Sequence, residues 1–201
     1  MKNLLYFLLL IPLFFISSCE EEDIDENVVI ELGAIYQGGM IFHIDQTGEH
    51  GLVAALQDLD GTYEWGCYEI EFAGADGEDI GTGLENTEAI VNQGCQTENG
   101  GVTAAQASLD YEVNGYSDWY LPSKDELYRM MFHIGRIGTQ GDNLGSFNAG
   151  RYWSSTDWTG LSFDWSPPQW VNQAWIINSH SNALDEFNRV SLNRVRAIRS
   201  F

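Results

Sequence analysis

Three groups of residues in this 201-residue chain have types and spacing suited to chemistry. The first is Cys19, which closes Ile16-Ser17-Ser18-Cys19 behind the apolar run 4–16 and the basic Lys2. That order reads as an export signal whose core is too short for a bilayer span, which takes about 20 apolar residues. Small residues ending in cysteine form a lipobox, so the expected chemistry is cleavage after residue 18 and diacylation of the Cys19 thiol. An ordinary secretory signal with an incidental cysteine is the alternative. Each buried methylene contributes about 0.8 kcal/mol, so several acyl chains hold a protein to a membrane without spanning it.

The second group is the loop 74–83, where Asp76, Glu78 and Asp79 lie among glycines. Flexible, oxygen-rich loops are what Ca²⁺ requires, and Asp58 and Asp60 are available as further ligands, although the spacing fits no EF-hand. A solvated acidic loop with no metal is the alternative. Gly81-Thr82-Gly83 opens no dinucleotide fingerprint, because the third glycine of that motif is missing. His43 and His50 lack partners at metal-ligand spacing and read as hydrogen-bonded strand or turn residues.

The third group is aromatic. Trp158, Phe163, Trp165 and Trp170, with Pro167 and Pro168, crowd a stretch that follows neither a helical nor a strand period. Rings on a stiff loop stack on sugars or anchor a protein partner, and they equally well roof a core. Trp153 and Trp175, in strand-like runs, are expected in the core.

The elements that must position these groups centre on residues 115–127. Ser123 followed by Glu126 is a capping box, Asp125 and Glu126 suit the helix dipole, and Leu127, Met130, Met131 and Ile134 recur at helical spacing until Gly135. Ser179 has no such role and is expected to matter little. Short helical patterns occupy 86–92 and 102–109. A hairpin spans 33–55, strand-like runs cover 151–155 and 173–177, and a C-terminal strand over 193–201, where Arg194 and Arg196 alternate with Val195 and Ala197, should return beside the hairpin. Cys67 and Cys95 are the pair left once Cys19 is acylated. Outside the cytoplasm they read as a disulfide, with two buried free thiols as the alternative.

Trp119-Tyr120-Leu121-Pro122-Ser123-Lys124-Asp125-Glu126-Leu127 resembles the W-x-L-P-[ST]-x-x-E-L signature of a bacterial family, the C-terminal domain of the Lcl collagen-like adhesin, also described as a domain of unknown function. The resemblance continues in Tyr152-Trp153-Ser154-Ser155-Thr156, in Ala174-Trp175 and in the closing Arg194-Val195-Arg196-Ala197-Ile198-Arg199. Trp119, Leu121, Pro122, Ser123, Glu126 and Trp153 are its structural positions. A similar pattern occurs in formylglycine-generating enzymes, so the resemblance implies one α+β domain like a C-type lectin, with short, mostly antiparallel strands, two to three helices and long loops. The catalytic cysteines of those enzymes are not reproduced here.

Charge narrows the function. The formal net charge is −21, and no Lys or Arg occurs between residues 3 and 123. A broad basic face for nucleic acid or another polyanion is therefore not expected, which sets this chain apart from the sulfated glycosaminoglycans associated with the namesake adhesin. The run 20–26, with six carboxylates, cannot bury apolar surface and reads as a solvated tether or as an outer-membrane sorting signal.

The expected organisation is a signal peptide over 1–18, a lipidated cysteine and acidic tether over 19–32, and one domain over 33–201. About 170 residues suit a single domain. The expected role is that of a non-catalytic, adhesin-like binding module for glycan or protein, without a cofactor unless Ca²⁺ is bound, and lipid-anchored at the outer membrane or surface of a Gram-negative cell. The alternatives are a structural envelope lipoprotein and, further off, a formylglycine-generating type of enzyme. Cys19→Ser is expected to release the protein from membranes. A variant that still partitions with them and carries lipid by mass spectrometry contradicts the lipobox.

Overall fold

The computed structural model describes residues 29–68, 70, 73–135, 142–158, 161–162, 169–170, 172–181 and 183–201, with backbone alone at 161–162 and 169–170. The signal peptide, Cys19, most of the tether, Phe163 and Trp165 lie outside the described residues. In chain order the elements are β1 (Ile35–Tyr36), β2 (Gly39–Ile44), β3 (Gly51–Ala55), α1 (Gly83–Asn92), α2 (Ala104–Leu109), α3 (Lys124–His133), β4 (Arg151–Trp158), β5 (Leu161–Ser162), β6 (Gln169–Trp170), β7 (Gln173–Asn178), β8 (Leu184–Asn188) and β9 (Ile198–Ser200). This is an α+β domain of short antiparallel strands and three helices among the described residues. None of those helices is long and apolar enough to cross a membrane.

The first sheet has the order β1-β2-β3-β9 and the second β4-β7-β8, with β5 and β6 forming a separate ribbon. β2 and β3 are the expected hairpin, and β9 closes against β3 with Val53 opposite Arg199. The closing strand is shorter than its alternating pattern suggests. Val195 and Ala197 are buried, yet the chain over 195–197 is irregular because Arg196 turns inward as well. β8 escapes a reading by hydrophobicity: Leu-Asp-Glu-Phe-Asn is an edge strand whose acidic residues are tolerated because only one side pairs.

The core forms where α3 lays Leu127, Met130 and Met131 against Phe42 of β2 and Tyr152 of β4, and where Trp65, Trp119 and Trp153 fill the space beside α1 and α2. All three indoles are fully buried, so each N–H needs an acceptor. Trp65 donates to the Ser154 carbonyl at 2.8 Å, Trp119 to Tyr116 at 3.1 Å and Trp153 to Tyr63 at 2.8 Å. The Cys67–Cys95 disulfide is formed and is buried in the same cluster.

Two expectations require correction. Trp175 is half-buried, because it lies on the far side of β7 from Ala174 and Ile176, with the Lys124 ammonium 4.9 Å above its ring. Ser179 is buried: its hydroxyl accepts the Gly150 N–H at 3.0 Å and donates to the Asn148 carbonyl at 3.1 Å, so it fastens the start of β4.

The contrast between the two tryptophans is testable. Trp153→Ala should cost about 3–5 kcal/mol in urea denaturation, as expected for a large cavity in a closed core, with Trp175→Ala costing clearly less. Equal losses contradict the placement of Trp175 at the rim.

Candidate functional site

The capping box at the start of α3 is present. The Glu126 N–H donates to Ser123 Oγ at 3.2 Å, and the Ser123 N–H donates to Glu126 Oε2 at 2.7 Å. In an isolated helix that carboxylate would be half in water. Here Glu126 is fully buried, and its second oxygen accepts the Gly81 N–H at 2.8 Å. Gly83 must lack a side chain, since a Cβ there would collide with the Glu126 carboxylate. Burial outweighs the amides of Ser123, Gly81 and Gly83, so the Glu126 carboxyl sits above the ordinary carboxylate range.

The acidic loop is thereby fixed to two elements. Ser123 Oγ donates to the Asp79 carbonyl at 2.9 Å, and the Asp125 N–H donates to the Glu78 carbonyl at 3.0 Å. On the other side, Thr156 Oγ1 donates to the Gly77 carbonyl at 2.8 Å and accepts the Lys124 N–H at 2.9 Å. The Asp157 N–H reaches the Ala75 carbonyl at 2.6 Å. Asn86 completes the hold, accepting the Gly77 N–H at 3.1 Å and donating to its carbonyl at 2.6 Å. The loop between the cysteines thus joins the Leu-Pro-Ser segment to the Ser-Ser-Thr segment.

This arrangement brings two candidate groups to one rim. Ala75 lies beside Asp157, and the next residue, half-buried Trp158, ends β4 opposite Gln173 and opens the aromatic segment. Glu78 pairs with Lys124, whose ammonium covers the Trp175 ring. Asp76 and Asp79 are exposed, and among the described residues no three His, Cys, Asp or Glu side chains are placed to hold a metal ion. Trp170 pairs with Leu161 through the backbone, while Phe163 and Trp165 lie outside the described residues.

Asp58, a possible extra calcium ligand by sequence, is committed elsewhere. It accepts from Arg196 Nε at 2.8 Å, from the Tyr152 hydroxyl at 2.8 Å and from Asn148 Nδ2 at 2.8 Å. The other buried carboxylates are equally occupied: Asp157 is paired with Arg189, and Glu64 accepts the main-chain amides of Glu98 and Asn99 at 2.7 and 3.1 Å. Burial raises the Asp157 carboxyl and Arg189 counters it.

A second concave region was not evident from sequence. Gln57, Asp60, Tyr63, Asp110, Tyr111 and Glu112 line an open cleft of about 490 Å³. The two segments meet because the Ala104 N–H donates to the Glu64 carbonyl, docking the start of α2 beside the strand-like stretch that carries Tyr63. Burial raises both tyrosine hydroxyls, with Arg196 opposing the shift at Tyr111 and Asp60 adding to it at both, and the Tyr63 hydroxyl donates to the Asp60 carbonyl at 2.8 Å. Aromatic faces beside carboxylate acceptors suit hydroxyl-rich or cationic ligands and disfavour polyanions.

No protein-family model matches the chain, and no curated protein matches it.

The raised Glu126 carboxyl has a definite pH signature. A folded value above the ordinary 4.5 gives stability that is fully present below 4.5 and is lost as the pH rises through the folded value. Relative to Glu126→Gln, the wild type should therefore gain stability as the pH falls from neutral toward 4.5. A difference that is flat, or that falls with acidification, contradicts the assignment. Ser123→Ala should cost about 1 kcal/mol.

Proposed function

We propose that the mature chain is a lipid-anchored binding module of the bacterial cell envelope, lectin-like in type and non-catalytic, whose ligand is a glycan or a protein segment. The observation that carries this reading is the cleft lined by Tyr63 and Tyr111 beside Asp60, Asp110 and Glu112. Flat rings next to acceptors recognise sugar hydroxyls or basic side chains without needing a titrating nucleophile. The lipobox and the resemblance carried by Trp119, Leu121, Pro122, Ser123, Glu126 and Trp153 support the location and the lectin-like type.

A structural envelope lipoprotein is the second reading. It is favoured by the buried carboxylates Asp58, Glu64, Glu126 and Asp157, each of which is held by donors of the fold. The two readings part on binding.

The chain from residue 20 onward, screened on a glycan array with and without Ca²⁺, should bind neutral or amino-bearing sugars and lose that binding on Tyr111→Ala. Binding that survives Tyr111→Ala but is lost on Trp165→Ala moves the site to the segment 158–170. Failure to bind any glycan or basic peptide favours the structural reading.

A further inference from the structure

The concave surface at Tyr63 and Tyr111 does not end at residues 57–60. A second hollow, of about 290 Å³, is lined by the same stretch together with Ser146, Asn148 and Arg194. Residues 57–60 are therefore a wall common to both hollows, with Gln57 and Asp60 exposed on it. The two sides differ in charge. Asp60, Asp110 and Glu112 line the cleft with no Lys or Arg among them, and none of the three is in an ion pair among the described residues. The second hollow holds Arg194.

That arginine has donors to spare. Asp58 beside it is already matched: Arg196 pairs with Oδ1 at 2.7 Å, and the Tyr152 hydroxyl and Asn148 Nδ2 each donate to Oδ2 at 2.8 Å. The nearer Arg194 nitrogen stays 3.8 Å from Oδ2, beyond hydrogen-bond reach. Among the described residues only Arg194 Nε donates a hydrogen bond, to the Ala149 carbonyl at 3.3 Å, and the side chain is 34% exposed. Its backbone is fixed, since its N–H donates to the Arg151 carbonyl at 2.9 Å and its carbonyl accepts the Trp153 N–H at 3.0 Å. Gly150 leaves it room, because a Cβ there would press to 3.3 Å from Nε. A guanidinium held in place with its fork unspent is a seat for a carboxylate.

We propose that the two hollows form one extended site for a glycan carrying a single carboxylate, with that carboxylate on Arg194 and the adjoining neutral or amino-bearing sugar against Tyr63 and Tyr111. This rests on the reading of the cleft as a glycan site and narrows its ligand. Asp60, on the shared wall, keeps an anion at the Arg194 end. A second carboxylate on the next ring would face Asp60, Asp110 and Glu112, so a polyuronate is rejected by the same groups that accept a neutral ring.

The test titrates the chain from residue 19 onward, with Cys19→Ser, against cellobiose, cellobiouronic acid with one carboxylate, and digalacturonic acid with two. In amide NMR spectra cellobiouronic acid should shift Tyr63 and Tyr111 together with Ser146, Asn148 and the Arg194 Nε–H, whereas cellobiose should shift the tyrosines without the rest. Cellobiouronic acid should bind about tenfold tighter than cellobiose, as one charge-assisted fork allows, and digalacturonic acid should bind more weakly than cellobiouronic acid. Arg194→Gln should erase that advantage, Arg194→Lys should keep only part of it, and Tyr111→Ala should weaken both sugars. The wild-type shifts decide the matter even where a variant folds poorly. Equal binding of cellobiose and cellobiouronic acid, each lost on Tyr111→Ala, overturns the carboxylate seat and leaves the cleft standing. An advantage that survives Arg194→Gln places the carboxylate elsewhere and overturns it too. Equal shifts of Ser146 and Asn148 with sodium acetate alone overturn the extended site in favour of an adventitious anion only. If none of the disaccharides binds, the glycan reading of the cleft falls and the extended site falls with it.

Discussion

The described fold depends on the buried carboxylate of Glu126, which is held by main-chain amides and, among the described residues, is paired with no cation. An ionised carboxylate is an acceptor only, and taking it out of water costs several kcal/mol unless its lone pairs are filled. Glu126 meets that demand with main-chain amides from two places in the chain, Ser123 at the helix start and Gly81 ahead of α1. The requirement couples the helix start to the loop, because both oxygens of Glu126 are satisfied only when the two are together. Because β4 fastens the same loop through Thr156 and Asp157, three segments far apart in sequence share one polar network. Networks of this kind are costly when partly satisfied, which favours a single arrangement of the loop.

Charge couples the halves of the chain as well. The acidic stretch up to Ser123 has no cations of its own, and the arginines near the C-terminus fold back to it: Arg196 to Asp58 and Arg199 to Asp118. Arg196 is buried over the Phe147 ring, so its pairing with Asp58 and with the carbonyls of Ala55 and Gly145 sets a register as much as it stabilises. The closing strand is thus held by directed hydrogen bonds where its short ladder would hold it weakly.

The parts of the fold legible in the sequence were those with local causes. The α3 cap and its apolar stripe, the β2–β3 hairpin and the pairing of Cys67 with Cys95 follow from spacing, turn chemistry and parity. The second contact of Glu126 was not legible, because nothing local to Ser-Lys-Asp-Glu announces that the carboxylate will also meet Gly81. Arg196 looked like the polar side of an alternating strand, and its inward turn depends on Asp58, 138 residues away. The cleft at Tyr63 and Tyr111 is invisible for the same reason: it exists only once α2 docks beside Glu64. The aromatic segment stands out by composition, and it begins next to Asp157, whose N–H binds the Ala75 carbonyl of the acidic loop, a neighbourhood that the order of the residues does not reveal.

The central claim is that the loop ahead of α1 is part of the core's cooperative unit through Glu126. Native-state hydrogen exchange measures this directly. The amides of Gly81 and Ser123, which donate to the buried carboxylate, should open only with the same free energy as the core strand amides of Val53 and Ile176. Rapid exchange at Gly81 while those strand amides stay protected would contradict it, showing that the loop leaves α3 without disturbing the fold.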